Sequence, residues 1–284
     1  MHSIFSKDLH LKIADLLSPV YSKDERETLA FHLLENIFGS SRTDLLLNSA
    51  INISEEKNDS LNLIIDRLLR NEPIQHIFGE ADFYGRKFKV NEHVLVPRQE
   101  TEELIQLIVK KNTLTTPKIL DIGTGSGCIA CSLALEIRNS EVHALDISDL
   151  ALDTASQNSN ALEANVTFLK CNILNEEIPE SAFDIIVSNP PYVLDSEKKQ
   201  MHQNVTDFDP HLALFVSDED PLIFYRVVAE KSKKALNTNG KLYFEINEKF
   251  GSEVKTMLHD FGYSDVYIYK DLNGKDRFVS GICS

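Results

Sequence analysis

The chain has 284 residues, 42% of them apolar and 26% charged, enough for one large domain or two modest ones with a substantial core. A net charge of −15 argues against a tight, sequence-independent grip on phosphate backbones and favours a protein or small-molecule partner. No apolar run reaches the roughly 18–20 residues of a membrane span, and the N-terminus has no apolar stretch before a small-residue cleavage site, so a cytoplasmic address is expected.

Residues 1–75 read as a small all-α domain. Leu9, Leu11, Ile13, Leu16 and Leu17 recur at helical spacing until Ser18-Pro19. Ser22 and Glu25 form a capping box. The helix that follows carries Leu29, Ala30, Leu33, Leu34, Ile37 and Phe38, and Gly39 closes it. After polar residues 52–60, a third stripe runs Leu61, Ile64, Ile65, Leu68 and Leu69. Residues 76–97 read as a β-hairpin linker, with strands at residues 83–90 and 94–96 around Asn91-Glu92-His93.

From residue 98 to 284 strands and helices alternate, the pattern of a doubly wound, mostly parallel α/β sheet. Lys118-Ile119-Leu120-Asp121-Ile122 is a buried strand. It runs into Gly123-Thr124-Gly125-Ser126-Gly127 and then a helix, so that glycine backbone and helix N–H groups can approach a ligand. The next strand ends at Asp146, about twenty residues past the loop, the position of a ribose-gripping acid. Asp149 is expected to cap a helix. A third strand precedes Cys171-Asn172-Ile173, and a fourth, Phe183-Asp184-Ile185-Ile186-Val187, leads into Ser188-Asn189-Pro190-Pro191-Tyr192. Two prolines end that strand and stiffen the turn, which holds a polar side chain at the carboxyl end of the sheet, where such folds bind ligands. A long polar loop, residues 193–218, suggests a lid or site wall. Asn273-Gly274 marks a final hairpin that adds an antiparallel strand.

The glycine loop lacks both the dinucleotide G-x-G-x-x-G spacing and the G-K-[ST] of a triphosphate site. With Asp121 just before it, it suits an adenosyl ligand without a pyrophosphate, such as S-adenosylmethionine. Cys128 and Cys131 form a C-x-x-C, but no second pair or nearby His pair completes a zinc site, and both are read as buried thiols. His76, His143 and His211 share no metal spacing, and no metal is expected. Arg98 and Glu100 are read as either a structural ion pair or site residues, and Glu245 as either a pocket residue or a solvated strand end.

Residues 120–127 resemble motif I of class I methyltransferases, and Asn189-Pro190-Pro191-Tyr192 resembles the N-P-P-Y motif of amino-methyltransferases. Residues 73–79, Phe83-Tyr84-Gly85, residues 94–102, 123–130, 224–226, 244–246 and 274–277 together resemble the HemK/PrmC family across nearly the whole chain. Gln99 stands where that family usually has a second proline, and Asn172-Ile173 where it often has an acid and a large apolar residue. The resemblance implies a class I methyltransferase-like fold and S-adenosylmethionine held by Asp121, Gly123, Thr124, Gly125, Ser126, Gly127, Asp146, Asn172, Ile173 and Asn189. It implies methylation of the side-chain nitrogen of the glutamine in the Gly-Gly-Gln loop of class 1 peptide-chain release factors. The helical domain would dock the release factor, and the protein would act as a monomer without binding nucleic acid directly. Substrate would meet Asn189, Pro190, Pro191 and Tyr192. Of these, the Asn189 side-chain oxygen and the Pro190 carbonyl would accept the two amide N–H bonds, and Tyr192 would stack on the amide plane. The alternatives are an amino-methyltransferase acting on a nucleobase of RNA or DNA, and a catalytically silent cofactor-binding protein.

Overall fold

A computed structural model describes residues 2–200 and 206–284. The described chain divides into two compact units, residues 2–78 with 206–208, and residues 79–200 with 209–284.

In the first unit β1 (His2–Phe5) pairs antiparallel with β2 (Ala50–Ile53). Around this ribbon lie α1 (Ser6–Leu17), α2 (Lys23–Phe38), α3 (Arg42–Leu47) and α4 (Glu55–Leu68), with α5 (Ile74–Phe78) after them. The three expected helices are present, but the ribbon and α3 are additions to the all-α reading. The polar stretch before Leu61 holds β2 and the first turns of α4, which Ser54 caps by accepting from Lys57 N–H. Ser22 donates both its N–H and its hydroxyl to the Glu25 carboxylate, and Gly39 ends α2 with φ at +68°. Leu9, Ile13 and Leu17 face the core with Ala30, Leu33, Leu34, Leu61, Ile65 and Leu68, whereas Leu11 and Leu16 face solvent. The buried stripe of α1 is therefore narrower than its leucines suggest.

The second unit opens with a hairpin, β3 (Glu80–Phe83) and β4 (Arg86–Lys89). Its turn is Tyr84-Gly85, with both residues at positive φ (+49° and +70°), the two-residue geometry that matches strand twist. Sequence reading centred the turn on Asn91-Glu92-His93, and residues 94–96 form no strand. Next come α6 (Gln99–Lys111), β5 (Lys118–Ile122), α7 (Cys128–Glu136), β6 (Glu141–Asp146), α8 (Asp149–Ala161), β7 (Val166–Lys170) and β8 (Phe183–Ser188). The loop after β8 contains β9 (Val193–Leu194), a 3-10 turn (Asp195–Gln200), α9 (His211–Leu214) and β10 (Phe215–Val216), and its residues 201–205 lie outside the described residues. The chain closes with α10 (Ile223–Ala235), β11 (Leu236–Glu245), α11 (Gly251–Asp260), β12 (Tyr263–Lys270) and β13 (Asp276–Cys283). Ser148, not Asp149, caps α8 by accepting from Ala151 N–H.

The sheet has seven strands in the order β12-β13-β11-β8-β5-β6-β7. Only β13 runs against its neighbours, inserted between β12 and β11, as the Asn273-Gly274 turn implies. Two apolar clusters cover the sheet, one centred on Phe183, Tyr225, Leu242 and Phe244, the other on Ile105, Ile119, Cys131 and Val187. Buried on both faces, the central strands read as continuous apolar runs. All four cysteines are free and buried, and burial pushes the Cys128 and Cys131 thiols up to about 12, so the C-x-x-C is packing material.

Candidate active site

Strand register assembles the site. Leu145, Ile122, Ser188 and Phe244 lie side by side on β6, β5, β8 and β11. The next residue on each strand is Asp146, Gly123, Asn189 and Glu245. These four residues therefore form one row along the carboxyl edge, at strand spacings of roughly 4.8 Å. Chain connections leave β5 and β8 in opposite directions, so the row crosses the topological switch point of the sheet.

On the β5 side, Gly123 and Thr124 both donate their N–H to Leu145 O at 2.9 Å, which folds the loop over β6. Gly123 and Gly125 have φ of +77° and +54°, and a Cβ on either would meet open space, so the loop leaves a cradle above it. Thr124 Oγ1 donates to Asp121 Oδ2 at 2.7 Å. Asp121 is fully buried, its Oδ1 has no hydrogen-bond partner, and burial raises its carboxyl pKa to about 7. A positive ligand group would stabilise that carboxylate. Asp146 accepts from Gly125 N–H through Oδ2 and from Ser148 N–H through Oδ1, both at 2.9 Å, and two lone-pair directions remain. The residues thus fit a nucleoside carrying a cationic tail.

The loop is braced from α8. Asn158 donates to Ser126 O at 2.9 Å and to Lys89 O at 3.0 Å, tying it to the hairpin. A Cβ added to Gly127, whose φ is +78°, would lie 3.0 Å from Ala155 Cβ. Gly127→Ala is therefore expected to destabilise the second unit by about 2 kcal/mol, through crowding and left-handed strain together, as read by urea denaturation.

Asn172 and Ile173 follow β7 beside Asp146, since Cys171 N–H donates to Asp146 O at 3.0 Å. Asn172 Oδ1 already accepts from Leu174 N–H at 3.1 Å in a local turn, which leaves it one lone pair for an adenine amine. Ile173 is half-buried against the core.

On the β8 side, Ser188 Oγ donates to Ile122 O at 2.7 Å and clamps the proline turn to the strand before the glycine loop. Pro190 is buried, while Asn189, Pro191 and Tyr192 are half-buried. Asn247 Nδ2 donates to Tyr192 O at 3.2 Å and pins the far end of the turn. The Tyr192 hydroxyl donates to Glu245 Oε1 at 3.1 Å, and the Thr101 hydroxyl donates to Glu245 Oε2 at 2.7 Å. Asn189 Nδ2 lies 3.4 Å from Thr101 Oγ1. Glu245 is 1% exposed, so it is no solvated strand end. Burial raises its pKa, opposed by these two hydroxyl donors and by the charge of Arg277.

Arg98 pairs with Asp209 at 2.7 Å and not with Glu100, which ties the start of α6 to the loop after β8. Their side chains are 38% and 2% exposed. Removing Arg98 takes a positive charge away from a buried carboxylate. Arg98→Ala is expected to cost about 2 kcal/mol, below the full buried-pair value because the arginine is partly solvated, with Asp209→Asn milder; equilibrium denaturation measures both. Gln99 is the first helical residue of α6, where proline is favoured but any residue serves. Thr101 and Arg277 have no individual role in the sequence reading, and Asp209 enters it only as part of the loop expected to be a lid or site wall. For Asp209 the one available signal was Arg98, a half-exposed arginine at the start of a helix that pairs readily with a carboxylate.

Among the described residues, Glu141, His143 and Glu180 converge closely enough to hold a metal ion, at the amino edge of the sheet. Lys118 Nζ, 2.8 Å from Glu180 and 3.5 Å from Glu141, already supplies a cation there.

Known proteins agree with this architecture. Residues 12–79 match the family model described as PrmC N-terminal domain, and residues 99–208 match Methyltransferase small domain. A Release factor glutamine methyltransferase of Flavobacterium psychrophilum is 42% identical, covering 96% of this chain and 97% of its own. One of the same name from Bacteroides thetaiotaomicron is 45% identical over 94% and 96% of the two chains. A solved methyltransferase structure from Pyrococcus furiosus, 20% identical, covers 78% of this chain and 99% of its own with a TM-score of 0.54, a likeness of fold. Identity of this degree along almost the whole of both chains leaves one conclusion: this protein belongs to the release factor glutamine methyltransferase family.

Proposed function

We propose that the protein transfers a methyl group from S-adenosylmethionine to the side-chain amide nitrogen of the glutamine in the Gly-Gly-Gln motif of class 1 release factors. The observation that carries this reading is the register that sets Asn189 directly beside Gly123. It brings an amide-recognising turn next to a nucleoside cradle. When bound, S-adenosylmethionine supplies an electrophilic methyl on a sulfonium. Asp146 grips the ribose, and the buried Asp121 favours the positive tail. The Asn189 side-chain oxygen and the Pro190 carbonyl take the two N–H bonds of the substrate amide. They hold its nitrogen in line and stabilise the positive charge that grows on it, since the lone pair is otherwise delocalised into the carbonyl. Tyr192, held by Glu245, walls the amide plane and excludes water. No group need remove a proton before transfer, because the proton leaves the methylated nitrogen afterwards.

The N-terminal unit serves as the docking module for the release factor. Its leucines Leu46 and Leu47 are 76% and 74% exposed, apolar surface of the kind a protein partner covers. The acidic total supports a protein acceptor in place of a nucleic acid, and the protein acts as a monomer in the cytoplasm, where translation terminates. No helix among the described residues is long and apolar enough to cross a membrane. Labelled methyl transfer from S-adenosylmethionine to release factor, with RNA and DNA in parallel, tests the proposal. Label on the release factor is the expected result, and label on nucleic acid alone would overturn it.

A further inference from the structure

We infer that Thr101 and Glu245 are positioning residues that fix which way round the Asn189 amide sits, oxygen toward the substrate and nitrogen away. This rests on the proposed role of Asn189 as acceptor, and it concerns what makes that role possible.

An asparagine amide has an acceptor on one side and two donors on the other, in nearly the same shape. Turned one way, Asn189 accepts an N–H from the substrate glutamine. Turned the other way, its own N–H bonds face those of the substrate, and the site repels the group it must hold. Nothing in the turn Ser188-Asn189-Pro190-Pro191-Tyr192 itself chooses between the two.

The choice is made behind it. A threonine hydroxyl has one proton. At 2.7 Å, Thr101 gives that proton to Glu245 Oε2, so its oxygen can only accept from Asn189. Asn189 therefore presents Nδ2 to Thr101, at 3.4 Å, and Oδ1 lies on the opposite side of the amide. Glu245 sets the direction of the chain because its other oxygen also receives a hydroxyl proton, from Tyr192 at 3.1 Å, as suits an acceptor-only carboxylate. Thr101 and Glu245 are 3% and 1% exposed, so bulk water does not compete for these groups. Their places follow from the fold. Strand register sets Glu245 next to Asn189, and Thr101 comes from the first turn of α6. The same carboxyl group that orients Asn189 also holds Tyr192, so both sides of the substrate amide are referred to one buried side chain.

The test uses the full chain with purified release factor and S-adenosylmethionine. Thr101→Val keeps the shape and removes the hydroxyl. It is expected to lower kcat by about 30-fold, with KM for the release factor and S-adenosylmethionine affinity close to wild type, and to lower the melting temperature because Glu245 loses a hydroxyl donor. Thr101→Ser restores the hydroxyl and recovers kcat to within about threefold of wild type. In an Asn189→Asp background either carboxylate oxygen can face the substrate, so adding Thr101→Val is expected to cost nothing further. An equal loss from Thr101→Val in both backgrounds would mean a merely structural threonine and would overturn the inference. If the Asn189→Asp enzyme is too slow to assay, Thr101→Val against Thr101→Ser decides, and equal kcat values overturn it. Full activity in Thr101→Val with none in Asn189→Ala sinks the orienting pair alone. Full activity in Asn189→Ala sinks the acceptor reading beneath it.

Discussion

Asn189→Ala is expected to lower kcat for release-factor methylation by about three orders of magnitude and to leave S-adenosylmethionine binding within about twofold of wild type. An amide nitrogen is a poor nucleophile, and in the transition state it gains positive charge while still carrying both protons. In the proposed mechanism two fixed acceptors lower the energy of that charge, and one of them is the Asn189 side chain. Alanine removes it, and leaves one substrate N–H facing a pocket with no replacement. The fold around the position is unaffected, because the turn is held by Ser188 on Ile122 O and by Asn247 on Tyr192 O. Cofactor affinity is spared because the glycine loop and Asp146 belong to β5 and β6. Steady-state methyl transfer with calorimetry on the same preparation measures both quantities, and turnover near wild type would remove Asn189 from the chemistry.

Asp146→Ala should do the reverse, raising the dissociation constant for S-adenosylmethionine by about 100-fold with little change in kcat at saturation. Its carboxylate does two things at once. It receives N–H bonds from Gly125 and Ser148, which shape the loop, and its free lone pairs are proposed to take the ribose. Charge-assisted hydrogen bonds of this kind contribute about 1.5–3 kcal/mol each, and losing the ribose contacts together with the loop clip gives the stated factor. Asp146→Asn retains acceptor capacity on one oxygen only and should fall between. Titration calorimetry gives the ranking, and an alanine variant that binds as tightly as wild type would move the ribose elsewhere.

The parts of the site that could be read before any coordinates were those in which local backbone chemistry decides. Glycines after an apolar strand announce a loop that approaches a ligand, and two prolines after another strand announce a rigid turn. Strand lengths and apolar runs were enough to find β5, β6, β7 and β8. What stayed hidden depends on partners far away in the chain. Thr101 meets Glu245 across 144 residues, and Arg98 meets Asp209 across 111. No spacing rule connects such pairs, because the sheet register and the path of the loop after β8 create them. The ribbon of β1 and β2 escaped for the same reason. The hairpin turn was displaced for a local reason instead: a tyrosine at positive φ is an unusual first turn residue, and Asn91-Glu92-His93 looked more turn-like by composition. Glu245 shows the limit most clearly. At the end of β11 it reads equally as a pocket residue or a solvated strand terminus, and only packing reveals it as a buried carboxyl group beside Asn189.

One glutamine side chain of a release factor is proposed to receive the methyl group. Mass spectrometry of the Gly-Gly-Gln peptide, after incubation of release factor with this protein and S-adenosylmethionine, tests it most directly. The expected spectrum shows that peptide heavier by a single methyl group, with fragment ions placing it on the glutamine side chain, and shows no such gain with Asn189→Ala. An unmodified peptide, or a methyl on another residue, would contradict the claim.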